Sequence, residues 1–305
     1  MRRRSFLAAC CPLASTPLAR GIAYLQRMQS KDGAWRSESY GLLRDGYSLT
    51  PFVTNALLDA GAATGRAIEF IEKHALEFGD DYPCYSAALA LKALARVKRP
   101  APKLIEWLSE QQLIEHNGWR PGDTAYGAWG IGGPRRRAPH AGHVDISMTR
   151  YVVEGLAAAG VSKDDPSMRA ARQFIDRCRA PGGAYLFSPV VVDANKAGDG
   201  IGYGTATADA YLSLRAAGGD TTHALQWLRA NDRPGLSPGF ASAARRRYAE
   251  GLRYYWAAAR RQTLGITTDL GPLQRPDGSW RNEEPLVKED DPLIATSFAV
   301  TALAQ

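Results

Sequence analysis

Asp209 stands one turn inside an Ala-rich segment, 205–217, that carries few charges. A carboxylate there costs stability unless it faces water, a counter-ion or a substrate, so it reads as an acid with a task. Asp145 ahead of Ile146, and Asp290 and Asp291 ahead of Pro292, stand where similar segments begin. Acids so placed can protonate a substrate or stabilise positive charge on it. Asp145 and Asp291 read equally as helix N-caps, the latter with proline at the first helical position. Tyr85, His143, Tyr203 and the run Tyr254-Tyr255-Trp256 are the candidate lining of a ligand pocket, and their ring faces would suit a cationic intermediate.

These residues need a scaffold, and the sequence describes one. The phrase Gln29-Ser30-Lys31-Asp32-Gly33-Ala34-Trp35 returns as Gln274-Arg275-Pro276-Asp277-Gly278-Ser279-Trp280, which points to a repeat architecture. Weaker copies read as Gln112 with Asn117-Gly118-Trp119, and as Gly182-Gly183-Ala184-Tyr185 after Cys178. Segments 66–77, 103–112, 168–178 and 223–230 carry apolar residues at helical spacing with charges between, the pattern of half-buried helices. Segments 50–60, 84–97, 145–161, 205–217, 249–264 and 292–304 are apolar on most faces, and three are followed by glycines 61, 160 and 218, suited to left-handed caps.

Alternation of the two kinds gives six outer-inner hairpins at a period of about fifty residues. A closed ring buries the inner helices without capping repeats, so we expect one all-α domain over residues 20–305. Parallel inner helices would gather their N-termini, with their positive dipole ends, on one rim. Two long Gly-rich connections, 115–144 and 180–202, lead into that rim. The repeated glutamines and tryptophans are expected to be structural, the amide bridging to the start of a neighbouring element and the indole packing over the turn.

Arg20-Gly21, Tyr24, Gln29, Gly33 and Trp35, and again Gln274 to Trp280, resemble the QW signature of the squalene cyclase and protein prenyltransferase repeat. The phrases Glu289-Asp290-Asp291-Pro292-Leu293-Ile294-Ala295-Thr296 and Gly202-Tyr203-Gly204-Thr205-Ala206-Thr207-Ala208-Asp209 look like bacterial members. The resemblance spans 20–305 and implies an α/α toroid, (α/α)6, acting on an isoprenoid or similarly apolar molecule in its cavity. It does not fix the activity, because the same barrel serves several chemistries. Squalene cyclases carry Asp-x-Asp-Asp, whereas this chain has only the pairs Asp80-Asp81 and Asp290-Asp291. Prenyltransferase β-subunits carry zinc on Asp-x-Cys and a distant His; the counterparts here are Asp81, Cys84 and His143, with one extra residue between the first two. A lone cysteine opening an apolar helix also reads as a small buried residue. The thioester branch needs Gly-Cys-Gly-Glu-Gln, which is absent. Two further readings stand beside the enzyme: a non-catalytic toroid that binds a lipid, peptide or partner protein, and a carbohydrate-active six-hairpin barrel with separated carboxylates.

The formal net charge of +7 is gathered in Arg2 to Arg4, Arg135 to Arg137 and Arg245 to Arg247, with no aromatic interleaving of the kind that reads nucleic acid. No stretch is long and apolar enough to span a membrane. Arg3-Arg4-Ser5-Phe6-Leu7 resembles a twin-arginine export core within residues 1–19, and Leu7-Ala8-Ala9-Cys10 a lipoprotein box, so the expected location is the periplasm or cell envelope, with a cytoplasmic protein as the alternative. If Cys10 and Cys11 are removed with that stretch, only Cys84 and Cys178 remain, too few for a disulfide framework.

Overall fold

The computed structural model describes residues 16–304, so the export-like stretch lies outside the described residues. Six helices form the inner layer: α2 (Leu49–Asp59), α4 (Pro83–Arg96), α6 (Ile146–Ala158), α8 (Gly204–Ala217), α11 (Arg253–Leu264) and α12 (Pro292–Leu303). Each packs on the next, and α12 packs back on α2, which closes the ring. Outside them lie α1 (Pro17–Arg27), α3 (Gly65–Lys73), α5 (Pro102–Gln111), α7 (Pro166–Arg177) and α9 (Thr222–Ala230), with a short α10 (Arg246–Gly251) leading into α11. The protein is an all-α toroid.

The count of helical hairpins differs from the even alternation expected. Residues 265–291, between α11 and α12, contain only the single turns Gly271–Leu273 and Pro285–Val287. The sixth outer position is filled instead by this segment and by α1, which packs on α12. Gly271-Pro272 and Pro276 cannot sustain a helix, whereas Trp280 supplies the buried bulk an outer helix would have given.

The repeated phrase is the joint between layers. The Trp35 indole N–H donates to the Leu25 carbonyl at 2.7 Å, and its backbone N–H donates to Thr50 Oγ1 at 3.0 Å. Trp280 makes the same pair, to the Leu270 carbonyl at 2.8 Å and to Thr296 Oγ1 at 3.0 Å. The Gln29 and Gln274 amides each donate at 2.9 Å to the carbonyl of the turn glycine, Gly33 or Gly278. Gln274 reaches on to the Pro17 carbonyl at 2.8 Å, in the first turn of α1. A Cβ on Gly33 would lie 2.2 Å from the Arg66 carbonyl oxygen, and its φ of +95° excludes most other residues. The phrase therefore needs glycine, and the joint fixes α2 and α12 to the segments that precede them.

A third complete copy exists, displaced from where the sequence suggested it. Trp129, not Trp119, donates to the preceding helix, at the Leu108 carbonyl, 2.7 Å away, with its backbone N–H 3.4 Å from Thr149 Oγ1. Gln112 donates to the Gly127 carbonyl at 3.0 Å and to the Ser167 carbonyl at 2.9 Å. Residues between Gln112 and Gly127 are an insertion inside the phrase, and Trp119 is buried within it, bonded to the Arg136 carbonyl at 3.2 Å. Tyr185 replaces the tryptophan in the next copy, its N–H 3.0 Å from Thr207 Oγ1.

Candidate functional site

The N-terminal halves of all six inner helices, with the loops before them, enclose a cavity of about 510 Å³. Its wall is mainly aromatic and aliphatic. Tyr255 stacks on Phe298 with centroids 4.8 Å apart, and Phe298 meets Phe52 edge-on at 5.0 Å. Tyr85 meets Tyr151 edge-on at 5.3 Å, and Tyr203 and Phe187 also line the cavity. Three inner helices (α2, α4 and α12) face the cavity with Phe52, Tyr85 and Phe298, the first two in the first turn and the third in the second.

Asp209 lies on this wall and is almost wholly removed from bulk water. Its Oδ1 accepts from Arg150 Nη1 at 2.9 Å and from the Tyr255 hydroxyl at 2.6 Å. Both bonds fall on one oxygen, which leaves Oδ2 for the cavity. Burial pushes its carboxyl up to about 6, against the opposing pull of Arg150 and the Tyr255 hydrogen bond. Arg150 is itself buried and bonded to Gln262 Oε1 at 2.8 Å, with Glu154 3.4 Å away and Lys92 2.7 Å beyond on Glu154. Burial opposes ionisation of Glu154, but Arg150 and Lys92 outweigh it and hold that carboxyl down at about 2. A chain of alternating charges from α4, α6 and α8 thus lies behind the cavity wall, and only Asp209 of the four reaches the cavity.

The sequence missed Arg150, Glu154 and Lys92. Their signal was present: Arg150 and Glu154 are spaced one turn apart in a segment with few other charges, and Arg150 is opposite to Asp209 in sign. An isolated charge in an apolar inner helix implies a partner on the neighbouring one.

The other expected acids divide. Asp145 lines the cavity, but its Oδ1 caps α6 by accepting from the Met148 N–H at 2.7 Å, and its Oδ2 lies 3.2 Å from His143 Nε2. Asp290 and Asp291 are not on the wall. Asp291 caps α12 through the Leu293 N–H at 2.8 Å and accepts from Ser37, whereas Asp290 accepts from the Tyr40 hydroxyl. The neighbour that does face the cavity is Glu289, whose carboxylate takes the N–H groups of Tyr254 and Tyr255 at 2.9 and 2.7 Å and Asn282 Nδ2 at 3.1 Å. Burial pushes Glu289 up to about 7.

Tyr85, His143, Tyr203 and Tyr255 line the cavity as expected. Tyr254 and Trp256 do not, because successive residues on a helix point in different directions. Tyr254 packs beside Trp280 against α12, and the Trp256 indole donates to the Arg233 carbonyl at 2.7 Å in the outer layer.

Asp81, Cys84 and His143 do not form a metal centre. Among the described residues no three His, Cys, Asp or Glu side chains converge on one point. Asp81 is bound to the Ser48 N–H at 2.5 Å, at the start of α2, and burial pushes it up to about 6. The Cys84 thiol is buried and raised well above its ordinary value, the reverse of a thiolate ligand. His143 is held by Asp145. The donor set does not fit zinc.

No protein-family model matches the chain, and no curated protein matches it. Solved structures do resemble it. The apo type II terpene cyclase MstE from Scytonema is 15% identical with a TM-score of 0.35, covering 94% of this chain and 96% of that one. A protein from Actinoplanes is 18% identical with a TM-score of 0.41, covering 94% and 97%. The ent-copalyl diphosphate synthase from Streptomyces platensis is 18% identical with a TM-score of 0.46, covering 95% of this chain and 56% of that one. No helix among the described residues is long and apolar enough to cross a membrane.

Proposed function

We propose that the toroid binds an isoprenoid or similarly apolar chain in its cavity and acts on it as a terpenoid cyclase-like enzyme, with Asp209 supplying the charge. The observation that carries this reading is one buried carboxylate oxygen left open to an aromatic-walled cavity. Aromatic faces and a carboxylate both stabilise a developing carbocation, and in a space screened from water each does so more strongly. The Arg150 contact favours the ionised form of Asp209 near neutral pH, so electrostatic stabilisation fits the geometry better than proton donation.

One observation favours a second reading, a non-catalytic receptor for the same kind of molecule. The Asp209 charge is already balanced by Arg150, and such a pair can serve as a rigid base without reacting. A sugar cleft has less support, since the cavity wall contains no Asn or Gln side chain.

Native mass spectrometry of protein purified from its own host, followed by lipid extraction, reports the mass of a bound apolar molecule. Incubation of that molecule with wild type and with the Asp209→Asn variant separates turnover from storage. A chain that carries no such molecule, and whose variant behaves as wild type in the host, overturns the enzyme.

A further inference from the structure

Two cationic groups of the cavity have no counter-ion. Lys196 and Lys288 both line it, yet each rests on aromatic rings and makes no ion pair with a carboxylate among the described residues. The Lys196 ammonium lies 3.6 Å from the centroid of Phe187, and that of Lys288 lies 5.3 Å from Tyr40 and 5.9 Å from Tyr82. Burial pulls the Lys196 amine down to about 8, the charge of Lys288 pulls the same way, and Asp145 and Asp209 act against them. Both side chains are partly exposed, and an ammonium set against aromatic rings gives up hydration that no carboxylate here replaces.

Both lysines are held in place by neighbours that cannot easily move. Asn195 is buried and uses its whole side chain: Oδ1 accepts from Phe187 and Ser188 at 2.8 and 3.1 Å, and Nδ2 donates to the Ser188 and Val192 carbonyls at 2.8 and 3.0 Å. This staple fixes Phe187 and Lys196 on one wall. Lys288 has a φ of +65° in a turn that the buried Glu289 ties to the start of α11. Asp145, Asp209 and Glu289 are each engaged elsewhere, and Asp193, the remaining acid of the wall, is exposed.

We propose that Lys196 and Lys288 together recognise the anionic head, a carboxylate or a phosphate, of a molecule whose apolar body fills the cavity. This rests on the cavity being the apolar-ligand site argued above. An anion bound at this wall supplies the partner both lysines lack, and charge-assisted hydrogen bonds are about twice as strong as neutral ones.

Isothermal titration at pH 7 with dodecanoate, dodecyl phosphate and dodecanol tests the assignment. Both anions are expected to bind at least about tenfold tighter than dodecanol, a difference of about 1.4 kcal/mol. The Lys196→Met/Lys288→Met variant is expected to bind all three as wild type binds dodecanol, while Lys196→Arg/Lys288→Arg keeps the preference and serves as the check on folding. The tighter of the two anions identifies the head. Equal binding of the three probes by wild type, or an undiminished preference in the methionine variant, overturns the lysine assignment while the apolar cavity stands. Failure of every probe to bind overturns both.

Discussion

Arg150 Nη1 donates to Asp209 Oδ1 at 2.9 Å with both side chains almost wholly out of water, so each is the reason the other can be buried. Removing the cation alone leaves a carboxylate in an apolar lumen, and Arg150→Met is expected to cost about 3–5 kcal/mol. Asp209→Asn is milder, about 1–2 kcal/mol, because Arg150 keeps Glu154 at 3.4 Å and the amide still accepts from Tyr255. The double variant Arg150→Met/Asp209→Asn should be more stable than Arg150→Met alone. Urea unfolding at pH 7 measures all three, and additive losses would mean that the two side chains are not energetically coupled.

Stability should depend on pH in a direction opposite to that of most proteins. Glu289 rises on folding from 4.5 to about 7, and Asp209 and Asp81 each from 3.8 to about 6. Between those values the folded state holds more protons than the unfolded one, so stability falls as pH rises. Their contribution is complete below the unfolded values and is lost by about pH 7. Glu154 and Asp32 are both depressed to about 2 and act in reverse, losing their contribution as pH falls toward that value. Thermal unfolding should therefore show a maximum near pH 4–5 and a decline toward pH 7, for a set of groups shifted this way. Glu289→Gln gives up one acceptor, about 1 kcal/mol, and should flatten the decline. A wild-type profile that rises from pH 5 to pH 7 would refute the assignment.

Cys84 and Cys178 are both buried, and their thiols are raised by burial. In a Cys10→Ser/Cys11→Ser background, a thiol reagent should find neither until denaturant is added, at a rate that follows unfolding. Rapid reaction of one thiol in the native protein would reopen Cys84 as a ligand or nucleophile.

The ring was legible because its determinants are local. Segments 84–97 and 205–217 are apolar on most faces, and the phrases ending in Trp35 and Trp280 repeat at fixed offsets. Where an insertion broke that offset, Gly118-Trp119 offered a nearer match than Gly127-Trp129, and only the bonds of Gln112 reveal which copy closes the joint. The site was half legible for the same reason. Asp209 announced itself by its cost, and helical position gave Tyr85 and Tyr203, but a consecutive run such as Tyr254-Tyr255-Trp256 cannot all face one cavity. Arg150 stood out as a charge in an apolar helix, but its pairing with Asp209, like the placing of Lys196 and Lys288, depends on distances across the ring or on the path of a loop, which spacing along the chain does not encode.

The two ends of the chain meet where α1 crosses the last repeat, and a single methyl group tests that contact. A Cβ on Gly21 would lie 2.6 Å from Trp280 Cζ3 and 3.2 Å from Val300 Cγ2. In an open helix, glycine to alanine gains about 1 kcal/mol. Here the added methyl must displace a fully buried indole that is tied to the Leu270 carbonyl, an overpacking cost of about 1–3 kcal/mol. Gly21→Ala should therefore lower the melting temperature despite improving helix propensity. Gly65, at the start of α3, has nothing within 4 Å of its would-be Cβ and supplies the control. Gly65→Ala should be neutral or stabilise by up to about 1 kcal/mol. If Gly21→Ala stabilised as much as the control, α1 would not be seated on Trp280.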